Sequence, residues 1–346
     1  MCKMEELSRT RHAISRALRA RQENLTALLP LAAMALAVAI LYQAFPSSFE
    51  LTWKGRAYYL LFLWLTLMEI LLEYGQRTRT NEDLSLVRTA LIIISLSLPA
   101  VYALAETRLG LNTMIARQTE AMGIYYSDKM PLSIEYLVMT ASFALQILLT
   151  RGARELSSHS VSLAFLGLIA MIYNIDNIYP YGRFTPFQLL VPTTTMLASK
   201  ALNLMGYETI LLGQDLENMP RLLAQKEGRS AVFSIAWPCS GVESLIIYSV
   251  TIMLFLKRID MSRRAKAVYF LVGALVTYLI NILRIATIFT IAIGQGMDEA
   301  TLFHYSYGQM YSILWIVFYM LAIWGSRSLW RSARQMRTRQ QTVRAP

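Results

Sequence analysis

Cysteine, histidine and charge are all scarce in this chain of 346 residues. Its two cysteines are Cys2 and Cys239, and its three histidines are His12, His159 and His304. Two thiols, one of them next to Met1, make no disulfide framework, and no Cys/His run has the spacing of zinc ligands. Neither a metal nor another cofactor is expected. Charged residues make up only 16% of the chain against 55% hydrophobic, and the mean hydropathy is +0.41, which is too apolar for a soluble globule of this length. A small-residue cleavage site is missing as well. The first 24 residues hold six basic groups, and the apolar run 25 to 45 is too long for the core of a signal peptide, so it is expected to remain as a first anchor.

What is present is a series of apolar runs punctuated by basic clusters. A membrane-spanning helix needs about 20 mostly apolar residues, and residues 25 to 45, 57 to 74, 89 to 105, 132 to 150, 160 to 178, 240 to 256, 267 to 294 and 305 to 325 qualify. The net charge of +11 is not spread as a nucleic-acid surface would be, and no nucleic-acid partner is expected. Six basic residues fall in 1 to 24, three in 75 to 88, two in 151 to 159, five in 257 to 266 and six from Arg327 onward. All 22 lie on the cytoplasmic side if the N-terminus does and the stretch 187 to 205 does not span. That stretch carries Thr193, Thr194, Thr195, Ser199, Lys200 and Asn203, a composition suited to a helix at the outer interface.

The expected fold is therefore all-α: a polytopic bundle of about eight transmembrane helices with both ends cytoplasmic. It divides into a basic N-terminus (1 to 24), a five-helix region (25 to 178), a second membrane region (187 to 325) and a basic tail (326 to 346). Residues 206 to 238 form an outward segment with β-prone runs at 209 to 212 and 231 to 235, read as a small hairpin. The outward loop 106 to 131 is weakly patterned, and Glu69 and Asp176 are costly in or near spans without an evident chemical role.

In this topology three reactive side chains reach one depth. Cys239 opens the sixth span from outside and His304 heads the eighth. Arg284 lies 18 residues beyond Lys266, about 27 Å up the seventh helix at 1.5 Å per residue. Each has an ordinary reading as well: a lone membrane cysteine is commonly a small hydrophobe, a histidine at a helix end is interfacial, and an arginine near the edge can snorkel. As a set they suit acyl transfer. A thiol at a helix N-terminus beside a cation is biased toward thiolate, arginine holds a developing oxyanion, and histidine moves the proton. Pro238 and Gly241 fix the backbone around the thiol. Asn281, one turn before Arg284, is placed to orient it or to bond a backbone group. Glu243, four residues after Cys239, falls on the same helical face and is a candidate partner for Arg284. Trp237, Tyr305 and Tyr307 read as interfacial belt residues.

The stretches Trp237-Pro238-Cys239-Ser240-Gly241-Val242-Glu243-Ser244, Asn281-Ile282-Leu283-Arg284-Ile285 and Phe303-His304-Tyr305 resemble, in order and approximate spacing, those of the exosortase and archaeosortase family. The specific likeness covers residues 187 to 325. It implies a membrane cysteine protease of transpeptidase type, multi-pass in the cell membrane and acting on its outer face. Family substrates are exported proteins ending in a short motif, a transmembrane helix and a basic tail, and the new C-terminus passes to a lipid or glycan acceptor. Carried over, Cys239 is the nucleophile, Arg284 the oxyanion or thiolate stabiliser and His304 the general acid/base, with Ser240, Glu243 and Asn281 in support. Glu243 departs from the residues usual in the family, and His304 follows the exosortase pattern more than the archaeal one with arginine there. Two other readings stand beside this one: a transporter or lipid-binding protein using Arg284 for an anionic substrate, and a structural subunit of a surface assembly.

Overall fold

The computed structural model describes residues 28–51, 54–72, 86–179, 188–215, 218–308 and 310–343. The basic stretch 1 to 24 and most of the loop 75 to 88 lie outside the described residues. The chain forms two compact units, divided after Ile178.

The first unit is helical: α1 (Leu28–Ala44), α2 (Ala57–Leu72), α3 (Leu86–Arg108), α4 (Leu111–Ala121), α5 (Met130–Arg151) and α6 (Ser160–Ile178). Its core is aromatic. Tyr59 stacks on Tyr136 at 4.3 Å, Tyr136 meets Tyr173 edge-on at 5.4 Å, and Phe62 meets Phe143 at 4.9 Å. The costly acids are explained by packing. Glu69 accepts hydrogen bonds from the N–H groups of Val161 (2.8 Å) and Ser162 (3.2 Å), so a carboxylate from α2 caps the positive end of α6. Asp176 pairs with Lys54 at 2.6 Å. Arg56, in the turn before α2, donates to Glu106 of α3 (2.9 Å) and to both carboxylate oxygens of Glu135 on α5, drawing three elements to one buried guanidinium. The stretch 106 to 131, expected to be a plain loop, is helical over much of its length. Gly110, at φ 71°, breaks α3 from α4, and Gly123, at φ 74°, follows α4. Both sit in the left-handed region that glycine enters freely, so the two glycines divide helices rather than bound a loop.

The second unit runs α7 (Val191–Leu204), β1 (Glu208–Gln214), β2 (Pro220–Lys226), β3 (Arg229–Ser234), a 3₁₀ turn (Trp237–Ser240), α8 (Val242–Arg258), α9 (Arg263–Gly294), α10 (Met297–Leu302), a π-helical turn (Phe303–Tyr307) and α11 (Met310–Val343). The expected hairpin is a three-stranded antiparallel meander in the order β1-β2-β3. The strand that the sequence reading missed is central. It opens on Pro220, tolerated at a strand's first residue, and its Arg221, Gln225 and Lys226 hide an alternation in which Leu222 and Ala224 are fully buried. Glu227 (φ 53°) and Gly228 (φ 77°) make the two-residue turn to β3, both in the left-handed conformation such hairpins require. α9 packs against α7, α8, α10, α11 and the sheet, and is the pillar of the unit. The segment 326 to 343, read as a tail, continues α11.

Five of the described helical segments are long and apolar enough to cross a membrane: Leu86–Arg108, Ser127–Arg151, Ser160–Ile178, Arg263–Gly294 and Met297–Arg327. α1 and α2 are apolar but shorter. Many large side chains of the five longer segments point outward, among them Ile93, Val101, Leu271, Leu275 and Phe318, as a lipid-facing surface requires. The chain is a polytopic helical membrane protein.

Candidate active site

The thiol is held by its backbone. Cys239 lies in the 3₁₀ turn, and its N–H donates to the carbonyl of Ala236 at 3.0 Å. Asn281 Nδ2 of α9 donates to the Cys239 carbonyl at 2.9 Å. Thr194 Oγ1 of α7 donates to the Ser240 carbonyl at 2.8 Å and also meets the Tyr278 hydroxyl at 2.8 Å. Ser240 Oγ donates to the Trp237 carbonyl at 2.7 Å. Four hydrogen bonds from three elements thus fix a four-residue turn, the kind of support that keeps a reactive group within tenths of an ångström.

Gly241 makes this possible in two ways. At φ 90° it is left-handed, and a Cβ there would lie 3.0 Å from Asn281 Nδ2 and 3.3 Å from Tyr278 Cδ2. The chain reverses at Gly241 and α8 starts after it, with the Leu245 N–H bonded to the Gly241 carbonyl at 2.9 Å. Two expectations change as a result. Cys239 precedes α8 instead of sitting in its first turn, and Glu243 does not share a helical face with it, because no helix connects them. Glu243 is fully buried at the start of α8. Trp237 is fully buried too, so it is a core residue and not part of an interfacial belt.

His304 comes from the π-helical turn, where the Gly308 N–H bonds to the Phe303 carbonyl at 2.7 Å. The turn places His304 Nε2 3.9 Å from Cys239 Sγ, within the looser range of a sulfur hydrogen bond. Such contacts are commonly long before substrate arrives. Arg284 is 2% exposed, and among the described residues its Nε and Nη1 meet no hydrogen-bond partner. It lies against the same π turn: a Cβ on Gly308 would be 3.0 Å from Arg284 Nε and 2.7 Å from the His304 carbonyl. The guanidinium is within electrostatic reach of the imidazole. An unpaired buried donor costs about 1–3 kcal/mol, more on a cation, so two such nitrogens on one arginine need an explanation.

A cavity of about 210 Å³ opens on the thiol and the imidazole. Phe233, Ser234 and Ile235 wall it on one side, Ile285, Ile288 and Phe289 of α9 on another, and Ala300, Thr301 and Tyr305 close it. Tyr305, read as an interfacial residue, is a wall of this cavity. The sequence reading also missed Thr194 and Tyr278. Thr194 belongs to the threonine run taken as a sign of an interfacial helix, yet Thr194 and Thr195 are buried, and Thr194 bonds to the turn that carries Cys239. Among the described residues no group of three or more His, Cys, Asp or Glu side chains is arranged to hold a metal ion. The arrangement brings together a thiol, an imidazole, a buried guanidinium and an apolar cavity, groups of the kinds that an acyl transfer uses.

The transmembrane exosortase family matches residues 122–325, reaching back across α5 and α6, further than the motif-bearing stretch 187 to 325. No curated protein and no solved structure matches the chain.

Proposed function

We propose that this chain, which belongs to the transmembrane exosortase family, cleaves the C-terminal sorting signal of exported proteins and passes the new C-terminus to a lipid or glycan acceptor. In this reading Cys239 Sγ attacks the scissile carbonyl as its proton moves to His304 Nε2. The oxyanion is held by Arg284. The C–N bond then breaks, His304 gives the proton to the departing amine, and a thioester to Cys239 remains. An acceptor hydroxyl or amine attacks the thioester, losing its proton to His304, and the thiol is restored when that proton returns to sulfur. No cofactor is needed for either half.

The observation that carries the reading is the contact of Cys239 Sγ and His304 Nε2 at 3.9 Å beside a buried arginine, two of whose nitrogens meet no hydrogen-bond partner among the described residues. Oxyanion donors of this kind contribute about 10²–10³ in rate. Ser240 and Asn281 keep the thiol's turn in place. Eight spans with both ends cytoplasmic agree with the charge distribution and put the site on the outer side. α8, 17 residues long and about 25 Å, then crosses with the 3₁₀ turn at its outer end.

The test is processing of a reporter bearing a sorting segment of the same organism, in membranes with wild-type enzyme, Cys239→Ala, Cys239→Ser, Arg284→Ala or His304→Ala. Cleavage lost in the alanine variants, with at most a residue in Cys239→Ser, supports thiol acyl transfer. Cleavage by Cys239→Ala at the wild-type rate removes the nucleophile and moves the reading to an anion-binding transporter, which the buried Arg284 guanidinium would also serve.

A further inference from the structure

We infer that the substrate polypeptide is received as an added strand on the free edge of β3, which leads it to the thiol. The inference rests on the function proposed above and names the binding site that this function needs.

The register of the sheet determines which backbone groups are available. The Ile235 N–H bonds to the Pro220 carbonyl at 2.9 Å, and Phe233 and Ala231 face Leu222 and Ala224. In an antiparallel pair, alternate residues turn both backbone groups to the partner and those between turn them away. Ile235, Phe233 and Ala231 are therefore spent on β2, whereas Ser234, Val232 and Ser230 present N–H and C=O to the other side. β3 is an edge strand, and among the described residues no backbone hydrogen bond reaches those groups from beyond the sheet. Ser230 and Ser234 are exposed and Val232 half-buried.

An open edge is a template for another extended chain, and proteins that do not use one usually block it. Among the described residues the outer edge of β1 is open as well, but β3 is the edge that continues into the cavity at Cys239. Its last residues, Phe233 and Ser234, and Ile235 after them wall the cavity that holds Cys239 and His304. At about 210 Å³ that cavity is smaller than the roughly 300–1,000 Å³ of sites for whole small ligands, and its walls are mostly apolar. It fits a side chain. The occupant is an extended peptide whose residue nearest the cut carries a medium-sized apolar side chain, with neighbouring residues recognised mainly through their backbone.

Direction follows too. β3 runs toward Cys239, and the substrate segment ahead of the cut also runs N-to-C toward the thiol, its transmembrane helix entering the bilayer afterward. The added strand is parallel to β3.

Two measurements test this. Val232→Pro deletes an outward N–H without breaking a ladder bond to β2. It is expected to lower kcat/KM for the reporter tenfold or more, chiefly through KM, while Leu211→Pro, on the opposite edge of the sheet, stays within twofold. The second measurement does not depend on turnover. In a Cys2→Ser, Cys239→Ala background, Ser230→Cys and Ser234→Cys are oxidatively cross-linked to single cysteines placed along the reporter. Position 234 should join residues close to the cut and position 230 residues further upstream. Val232→Pro cleaving like wild type, cross-links in the reverse order, or equal cross-linking to Leu211→Cys would each overturn the inference. If the wild type leaves the reporter uncut, the proposed function fails, and the cross-links still decide where the segment binds.

Discussion

Replacing Gly241 by alanine isolates the contribution of the backbone to the thiol's position. The residue sits at φ 90°, and left-handed backbone costs an L-residue about 1–2 kcal/mol. Its new Cβ would also lie 3.0 Å from Asn281 Nδ2 and 3.2 Å from Asn281 Cγ. Asn281 must then shift by a few tenths of an ångström, straining its 2.9 Å bond to the Cys239 carbonyl, worth about 1 kcal/mol. The sum, about 2–3 kcal/mol, should lower the melting midpoint in detergent by roughly 4–10 °C. The effect on catalysis should be larger than the loss of folded protein explains, because a misplacement near 1 Å costs about 10²-fold. Reporter cleavage normalised to folded enzyme gives that number. A double-mutant cycle supplies the mechanism. Asn281→Ala removes the atom that Cβ meets, so Gly241→Ala should cost less in that background, leaving mainly the φ term. Gly241→Ala within about 0.5 kcal/mol of wild type and with full turnover would refute the reasoning, and strictly additive effects would refute the contact.

Other perturbations read other parts of the molecule. Arg284→Lys keeps a charge but loses the fork of N–H donors, so it should recover little of the 10²–10³-fold cleavage that Arg284→Ala loses, measured as kcat on the reporter. Arg56→Met leaves Glu106 and Glu135 buried without their guanidinium and should destabilise the protein by about 3–5 kcal/mol; equal melting of variant and wild type would refute it. Glu69→Gln weakens the acceptor at the head of α6 and should cost about 1 kcal/mol on the same assay without changing the kinetics of the folded fraction. Burial depresses the Lys54 ammonium below its ordinary value, outweighing Asp176, so the unfolded chain binds this proton more tightly. Stability from this group therefore rises with pH between its folded value and about 10.5, and Lys54→Met should flatten that rise in melting curves taken across the alkaline range.

The sequence showed the parts that follow from polarity and spacing. Apolar runs gave the helices, and of the three residues singled out by their spacing, Cys239 and His304 come within 3.9 Å of each other with Arg284 against the turn that carries His304. What it hid depends on backbone events inside otherwise helical patterns. Gly241 reads as fixing the backbone around the thiol, but composition does not show that it enters the left-handed region and ends the turn there, so the sequence places Cys239 and Glu243 on one helical face. The π turn at 303 to 307 was equally silent, since one extra residue per turn does not alter composition. β2 escaped because its polar residues outnumber its buried ones. The threonines of α7 were visible but ambiguous, because polarity in an apolar helix signals water or an internal hydrogen bond with equal force.

These hidden features share one support. Asn281 and Arg284 stand one turn apart on α9, both buried. Asn281 reaches the carbonyl of the thiol's turn, and Arg284 lies against the turn that carries the imidazole. A single helix thus braces both partners of the Cys239–His304 contact from adjacent positions. A π turn offsets the side chains that follow it relative to an α-helical continuation and is commonly kept where function requires it. Here it presents His304 toward the sulfur while leaving Gly308 bare enough for the guanidinium to pack. Restoring α-helical geometry by deleting one residue within 303 to 308 should therefore swing the imidazole away from Cys239 while leaving α9 and the thiol's turn in place. Cleavage should fall as far as in His304→Ala, yet alkylation of Cys239 by a small maleimide should persist. Cleavage surviving the deletion would show that the imidazole is not held by this turn.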